Sequence, residues 1–466
     1  MGLHILSGQT PLLLYVAGLA AFLASAFWRP EIGIYYIVPL LPLQTVRFKL
    51  HEFPLGAQWI DLMLLGVLIG VLRKRNSILT KTALRRWLLA FAIVSYISLW
   101  RGALFLGLHL PLWFDDARLS NWKNYMVIFL LFFLVLASIK QLRQMQVLLI
   151  LMCLAVALLD RSVINTMSHR DLSTFSYDIR EEGAMGYAGV NGLAALEAQL
   201  SVFLLGMYSY QKKVLTKLIC LALLGANLMT LMYTFSRGGY AAILVGACFI
   251  GIVKNKKLLL LLLIFLITWQ GLVPNAVKER VLMTRGEQGE LDPSAGARVE
   301  IWENAVEIIK GDLIFGTGFD TYRFLHAVGP YEDTHNYYIK VLLEMGLIGL
   351  VIFIGVVTQM FRVGYRLFKS APPDDFIRGL GLGLLGMLVA TLVSNAFGDR
   401  WTYIEETGFT WAIVAMAIRC QMIVDEQTAS EGALDFRQKQ SKSRELECLP
   451  VGSKYSLADL RSASQD

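Results

Sequence analysis

Asp333-Thr334-His335-Asn336-Tyr337-Tyr338-Ile339-Lys340 turns from polar to apolar and continues through Glu344-Met345-Gly346-Leu347-Ile348-Gly349 into a long hydrophobic run. Such a stretch predicts a helix entering a membrane with its polar head at the boundary. Asp333 or Thr334 is expected to accept the unpaired N–H groups of the first turn. His335 then sits at the positive end of the helix dipole, which disfavours its protonated form. A neutral imidazole there accepts a proton near neutral pH, as a general base does. The plain alternative is a boundary histidine that only anchors the helix in the headgroup layer.

Composition points the same way. The chain is 56% hydrophobic and 17% charged, too apolar for a soluble globular protein of 466 residues. The surplus charge of +7 lies largely in short loops between apolar runs, which suits orientation by the positive-inside rule better than nucleic-acid binding. The five cysteines have no spacing that suggests a metal site or a disulfide framework. The first apolar run lacks a basic n-region and a small-x-small site, so no cleavable signal peptide is expected.

The expected fold is an all-α polytopic membrane protein with about 12–13 transmembrane helices. Four regions are predicted: an N-terminal bundle over 1–273, a large external loop over 274–334, C-terminal helices over 335–424, and a polar tail over 425–466, expected to be disordered in the cytoplasm. Arg73-Lys74-Arg75 with Lys81, Arg85 and Arg86 makes the densest early basic loop and is assigned to the cytoplasm. Thirteen spans put the amino terminus outside, and a partly re-entrant first hairpin makes twelve with it inside. In the large loop, Val299, Trp302, Val306 and Ile309 recur at helical spacing, predicting an amphipathic helix on the membrane or over a cavity.

This orientation gathers unusual polar groups on the outer side. Arg237 lies between Ser236 and Gly238-Gly239 in a tight turn, where glycines let backbone N–H groups approach an anion closely. Arg280, Arg285 and Arg298 follow in the external loop, and with Arg237 and His335 they predict an electropositive pocket. Asn191, at the outer end of its run, is expected to face that pocket. Asp399-Arg400-Trp401 either rims it or forms a polar turn. Lys340 and Glu344 are spaced i,i+4 and are expected to pair, while Glu197 has no evident partner. Converging arginines bind phosphate oxygens two at a time and stabilise a departing diphosphate. A neighbouring imidazole takes the proton of an attacking hydroxyl. With no acidic pair in a metal-binding context and no phosphate-loop motif, group transfer from a lipid diphosphate without a metal or other cofactor is the expected chemistry.

The order of motifs resembles the O-antigen ligase family, which also holds O-antigen polymerases and protein O-oligosaccharyltransferases. The matching pieces are Gly189-Val190-Asn191-Gly192-Leu193-Ala194, Ser236-Arg237-Gly238-Gly239, Arg298-Val299-Glu300-Ile301-Trp302, Phe315-Gly316-Thr317-Gly318-Phe319, and His335-Asn336-Tyr337-Tyr338 with Glu344-Met345-Gly346-Leu347-Ile348-Gly349. The resemblance implies a periplasmic loop over a cavity in a bacterial inner-membrane protein, and an undecaprenyl-diphosphate-linked glycan donor. It also implies an inverting, metal-independent transfer to a glycan, lipid or protein acceptor. Carried over, Arg237 and Arg298 hold the diphosphate and His335 activates the acceptor hydroxyl. Arg280 and Arg285 compete for the second arginine's role, and Asn191, Asn336 and Tyr337 are expected to bind substrate. En bloc transfer to lipid A–core is the leading reading, with repeat polymerisation and protein glycosylation as alternatives. A transporter is the non-enzymatic alternative, disfavoured because the polar residues cluster at one face rather than the midplane.

Overall fold

A computed structural model describes residues 10–180, 189–283, 292–370 and 375–447, and every regular element among them is helical. The chain opens with α1 (Thr10–Phe27) and α2 (Glu31–Leu40), turned at Arg29-Pro30. The ten residues of α2 rise about 15 Å, half the hydrocarbon thickness of a bilayer. Pro39 near its end has no N–H to continue the ladder, and the chain steps into α3 (Gln44–Leu50). The second arm of the first hairpin is therefore two short helices.

α4 (Trp59–Arg73) ends on the basic cluster, and α5 (Ala83–Phe105) starts at Thr82, whose side chain accepts from the Arg85 amide at 3.1 Å. α6 (Ala117–Ser138) is capped by Asp116, and α7 (Leu142–Met167) by a reciprocal box between Gln141 and Gln144. α8 (Val190–Tyr208), α9 (Val214–Tyr233), α10 (Arg237–Val253) and α11 (Lys256–Leu272) follow. The loop expected over 274–334 holds α12 (Asn275–Leu282), α13 (Pro293–Gly311) and α14 (Tyr322–Leu325), and α15 (Tyr337–Ser370), α16 (Asp375–Asn395) and α17 (Ile404–Glu447) complete the chain.

Among the described residues ten helices are long and apolar enough to cross a membrane, or up to eleven if the bent pair α11 and α12 is one span. α2 and α10 are apolar but shorter; the expected 12–13 is reached only by counting them. The architecture is that of a polytopic helical membrane protein. The chain divides into two compact units, Met1–Cys420 and Gln421–Asp466. In the second, helix continues to Glu447, into the stretch whose sequence has little periodicity.

α8 lies at the centre, packed by α9, α10 and α16. Ala194, Ala198, Ala242 and Ala390 are wholly buried where these helices meet. Small side chains bring helix backbones close, which is how helices gain contact energy in a medium as apolar as themselves.

The loop helix α13 buries only part of the expected stripe: Ile309 is in the core and Trp302 packs against it, but Val299 and Val306 are not covered. Ile301, Ala305 and Ile309 pack with Tyr322, Val328 and Leu343. Apolar residues extend beyond the buried stripe, and contact with α14 and α15 decides which of them face inward.

α15 is broken at Gly346, whose φ of 63° and ψ of −166° are not helical. The expected Lys340–Glu344 pair is replaced: Lys340 Nζ meets Asp399 Oδ2 at 2.8 Å, with the carboxylate buried and the lysine side chain mostly covered. Asp399 also accepts from the Trp401 and Thr402 amides. A carboxylate already fixed by backbone donors is the better partner for a buried ammonium.

Candidate active site

The Ser236-Arg237-Gly238-Gly239 turn becomes the start of α10, with the Ser236 hydroxyl accepting from the Gly239 amide. The same hydroxyl donates to Asn191 Oδ1 at 2.9 Å, tying the head of α10 to the head of α8. Arg180 Nη2 donates to that Asn191 oxygen at 3.0 Å, and its Nε donates to the Thr234 carbonyl at 3.0 Å. The first-turn amides of α10 and the positive end of its dipole thus open into a pocket already lined by guanidinium groups.

Five arginines line this pocket: Arg180, Arg237, Arg280, Arg298 and Arg400. They come from a loop, the head of α10, α12, α13 and the α16–α17 connection. Asp292 caps α13 by accepting from the Ser294 and Ala295 amides, and its carboxylate pairs with Arg237 and lies 4.0 Å from Arg280. The Arg280 guanidinium stacks over the Phe175 and Tyr177 rings at 5.0 and 5.2 Å. Arg400 Nη1 lies 3.3 Å from Glu406 Oε1. Arg298 Nε is buried with no hydrogen-bond partner among the described residues.

Crowded positive charge makes each further charge harder to hold. Burial, then the charge of Arg280, pushes Arg180 down to about 10. Burial and the charges of Arg237 and Arg400 lower Arg298. Burial pushes the Asp292 carboxyl up, but its hydrogen bond and charge interaction with Arg237 and its backbone donors outweigh this and hold it below the usual carboxylate range. Several guanidiniums that raise one another's energy are stabilised together by a polyanion.

His335 stands at the turn into α15 with a left-handed φ of 50°. Its Nδ1 is 3.5 Å from Asp333 Oδ2, and its ring meets Tyr331 edge-on at 5.7 Å. Burial lowers its pKa below the ordinary 6.5; Asp333 opposes this, and Arg298 and Arg400 reinforce it. The neutral form anticipated from the helix dipole is thus favoured mainly by burial. The first-turn donors of α15 are met by Asn336 Oδ1, which accepts from the Tyr338 and Ile339 amides at 3.0 and 3.2 Å, rather than by Asp333 or Thr334. Thr334 is held by Trp302, whose indole N–H donates to its carbonyl at 3.0 Å.

Of the residues singled out from sequence, Arg237, Arg280, Arg298 and Asn191 meet in the pocket, and His335 lies within the electrostatic reach of Arg298 and Arg400. Arg285 lies outside the described residues. Asn336 and Tyr337 are not brought to the pocket. Asn336 caps α15 and donates to the Ala396 carbonyl, and Tyr337 is buried with its hydroxyl 2.5 Å from that of Tyr125. Sequence reasoning does not single out Arg180, which lies in a loop without periodicity, and it leaves Arg400 between a pocket rim and a polar turn; the structure puts both in the pocket. Among the described residues no group of three His, Cys, Asp or Glu side chains is arranged to hold a metal ion.

Residues 218–354 match the family model described as O-antigen ligase. No curated protein matches the chain.

Proposed function

We propose, from the premise that this chain is a member of the O-antigen ligase family over residues 218–354, that it transfers a glycan from a lipid-linked diphosphate to an acceptor hydroxyl at the periplasmic face of the bacterial inner membrane. The observation that carries this reading is the convergence of five arginines on one pocket, with the head of α10 opening into it and a histidine of lowered pKa within charge range of Arg298 and Arg400. Arg237, Arg280 and Arg298, all inside the matched segment, bind the donor's diphosphate with Arg180, and undecaprenyl diphosphate is the lipid carrier. The acceptor oxygen attacks the anomeric carbon from the face opposite the diphosphate. The anomeric carbon–oxygen bond breaks, its electron pair leaves with the diphosphate, and the acceptor's proton passes to His335. Nδ1 faces Asp333, which leaves Nε2 to receive it. Guanidiniums fixed in place before the reaction stabilise the charge that grows on the leaving group, so no metal is required.

The test is transfer by purified protein from an undecaprenyl-diphosphate glycan with chelator present. Lipid A–core, a second lipid-linked repeat and a pilin-like protein are offered in parallel. Product on lipid A–core makes it a ligase, a ladder on the lipid-linked repeat a polymerase, and product on the pilin a protein glycosylation enzyme. Failure with all three by folded protein overturns the reading in favour of a transporter.

A further inference from the structure

A second cavity, of about 490 Å³, opens beside the heads of α4, α6 and α15. It shares one connection with the arginine pocket: Arg400 lines the pocket, whereas Thr402, Tyr403 and Glu405 line the cavity. Its charge balance differs from that of the pocket, where five guanidiniums outnumber the carboxylates of Asp292 and Glu406. Each cation on its wall has a carboxylate: Arg47 meets Glu405 at 2.6 Å, Lys123 meets Asp61 at 2.6 Å, Arg323 meets Glu332 at 2.6 Å and Lys340 meets Asp399 at 2.8 Å. Asp320 accepts from Asn121 at 2.7 Å. Charges neutralised pair by pair offer little to a polyanion, but they hold donors and acceptors in fixed directions.

Between these pairs the wall carries the exposed amides of Gln58 and Asn124 and the exposed ring of Tyr403. Amides and fixed ion pairs match sugar hydroxyls, each of which both donates and accepts, and an aromatic face covers the C–H face of a pyranose. The volume falls within the range of small-ligand sites, about 300–1,000 Å³. The Asp333 carboxylate, 3.5 Å from His335, lies within charge range of both Arg400 of the pocket and Tyr403 of the cavity.

We propose that this cavity is the acceptor subsite, binding the glycan end of the acceptor and presenting one hydroxyl across the 333–335 turn to His335. The proposal rests on the transfer reaction above, with the donor's diphosphate in the arginine pocket. It assigns the two substrates to separate spaces divided by the general base.

The test uses purified full-length protein in lipid nanodiscs and three soluble probes. These are inorganic diphosphate, deacylated core oligosaccharide, and the oligosaccharide released from the lipid-linked donor by mild acid. Asn124→Trp fills the cavity without removing an ion-pair partner, and a Gln58→Ala, Asn124→Ala double variant removes the amides without adding bulk. The expected result is that one oligosaccharide binds the native protein and that either variant weakens it at least about tenfold, with diphosphate binding unchanged. Oligosaccharide binding that survives in both variants, or no oligosaccharide binding while diphosphate binds, overturns the acceptor subsite and leaves the arginine pocket standing. Absence of diphosphate binding to the native protein overturns the transfer reading and this inference with it.

Discussion

Gly316 and Gly346 meet back to back, both left-handed at φ of 70° and 63°, and a β-carbon on Gly316 would stand 2.6 Å from the Gly346 nitrogen. The contact explains how α15 tolerates a break in an apolar setting. The Thr317 and Gly318 amides donate to the Leu343 and Glu344 carbonyls, each at 2.8 Å, and the Leu347 amide donates to the Leu313 carbonyl at 2.8 Å. The Ser98 hydroxyl also donates to the Glu344 carbonyl, and Arg101 Nε donates to the Gly316 carbonyl. Backbone groups freed by the break are therefore paired by the cap loop and α5, as a non-aqueous surrounding demands. The loop fixes the segment that carries His335 at its head.

Gly346→Ala should destabilise the protein strongly. Its β-carbon would lie 2.2 Å from the Ile314 carbonyl oxygen, and the left-handed backbone alone costs about 1–3 kcal/mol for a residue with a side chain. Gly225→Ala, in α9 with nothing within 4 Å, should keep or slightly raise the thermal midpoint. Equal midpoints for the two variants in detergent would refute the structural role of the Gly316–Gly346 contact.

His335→Ala should lower kcat by about 10²–10⁴-fold, the usual contribution of a general base, while membrane insertion and diphosphate binding persist. Near-normal turnover in that variant would remove His335 from the chemistry and leave it a boundary residue.

Arg237→Lys should cost about 100-fold in kcat, comparable to losing one donor to a developing anion. Lysine keeps the charge facing Asp292 but lacks the planar fork. Full activity would reduce Arg237 to a counter-charge for the α13 cap.

The acid limb of the pH profile should follow His335. Its active form is neutral and its pKa lies below 6.5, so kcat/KM should rise through that lowered pKa and be level by neutral pH. Asp333 raises the histidine's pKa, so Asp333→Asn should move the limb to lower pH. Bound diphosphate offsets Arg298 and Arg400, so the limb of kcat should lie at higher pH than that of kcat/KM. A limb unmoved by Asp333→Asn would assign the titration to another group.

The helical membrane architecture was legible in the sequence because hydropathy is carried by contiguous residues: a long apolar run predicts a span wherever it ends up. The order of Asn191, Arg237, Arg298 and His335 was legible too, and with Arg280 they pointed to one electropositive end. Which residues actually converge was not. Arg180 and Arg400 sit in loops without periodicity and reach the pocket through long-range packing, while Asn336 and Tyr337, adjacent to His335, are taken up by capping and core contacts.

By itself, then, the sequence determined the alternation of apolar helices and polar ends, since that depends only on each segment's own transfer from water to lipid. The tertiary structure alone decided the partners: Lys340 with Asp399, the loop before α15 with the break at Gly346, five guanidiniums around one pocket, and a second cavity walled by ion pairs. Those pairings join residues far apart in the chain, and their stability comes from desolvation and geometry that exist only once the helices have packed.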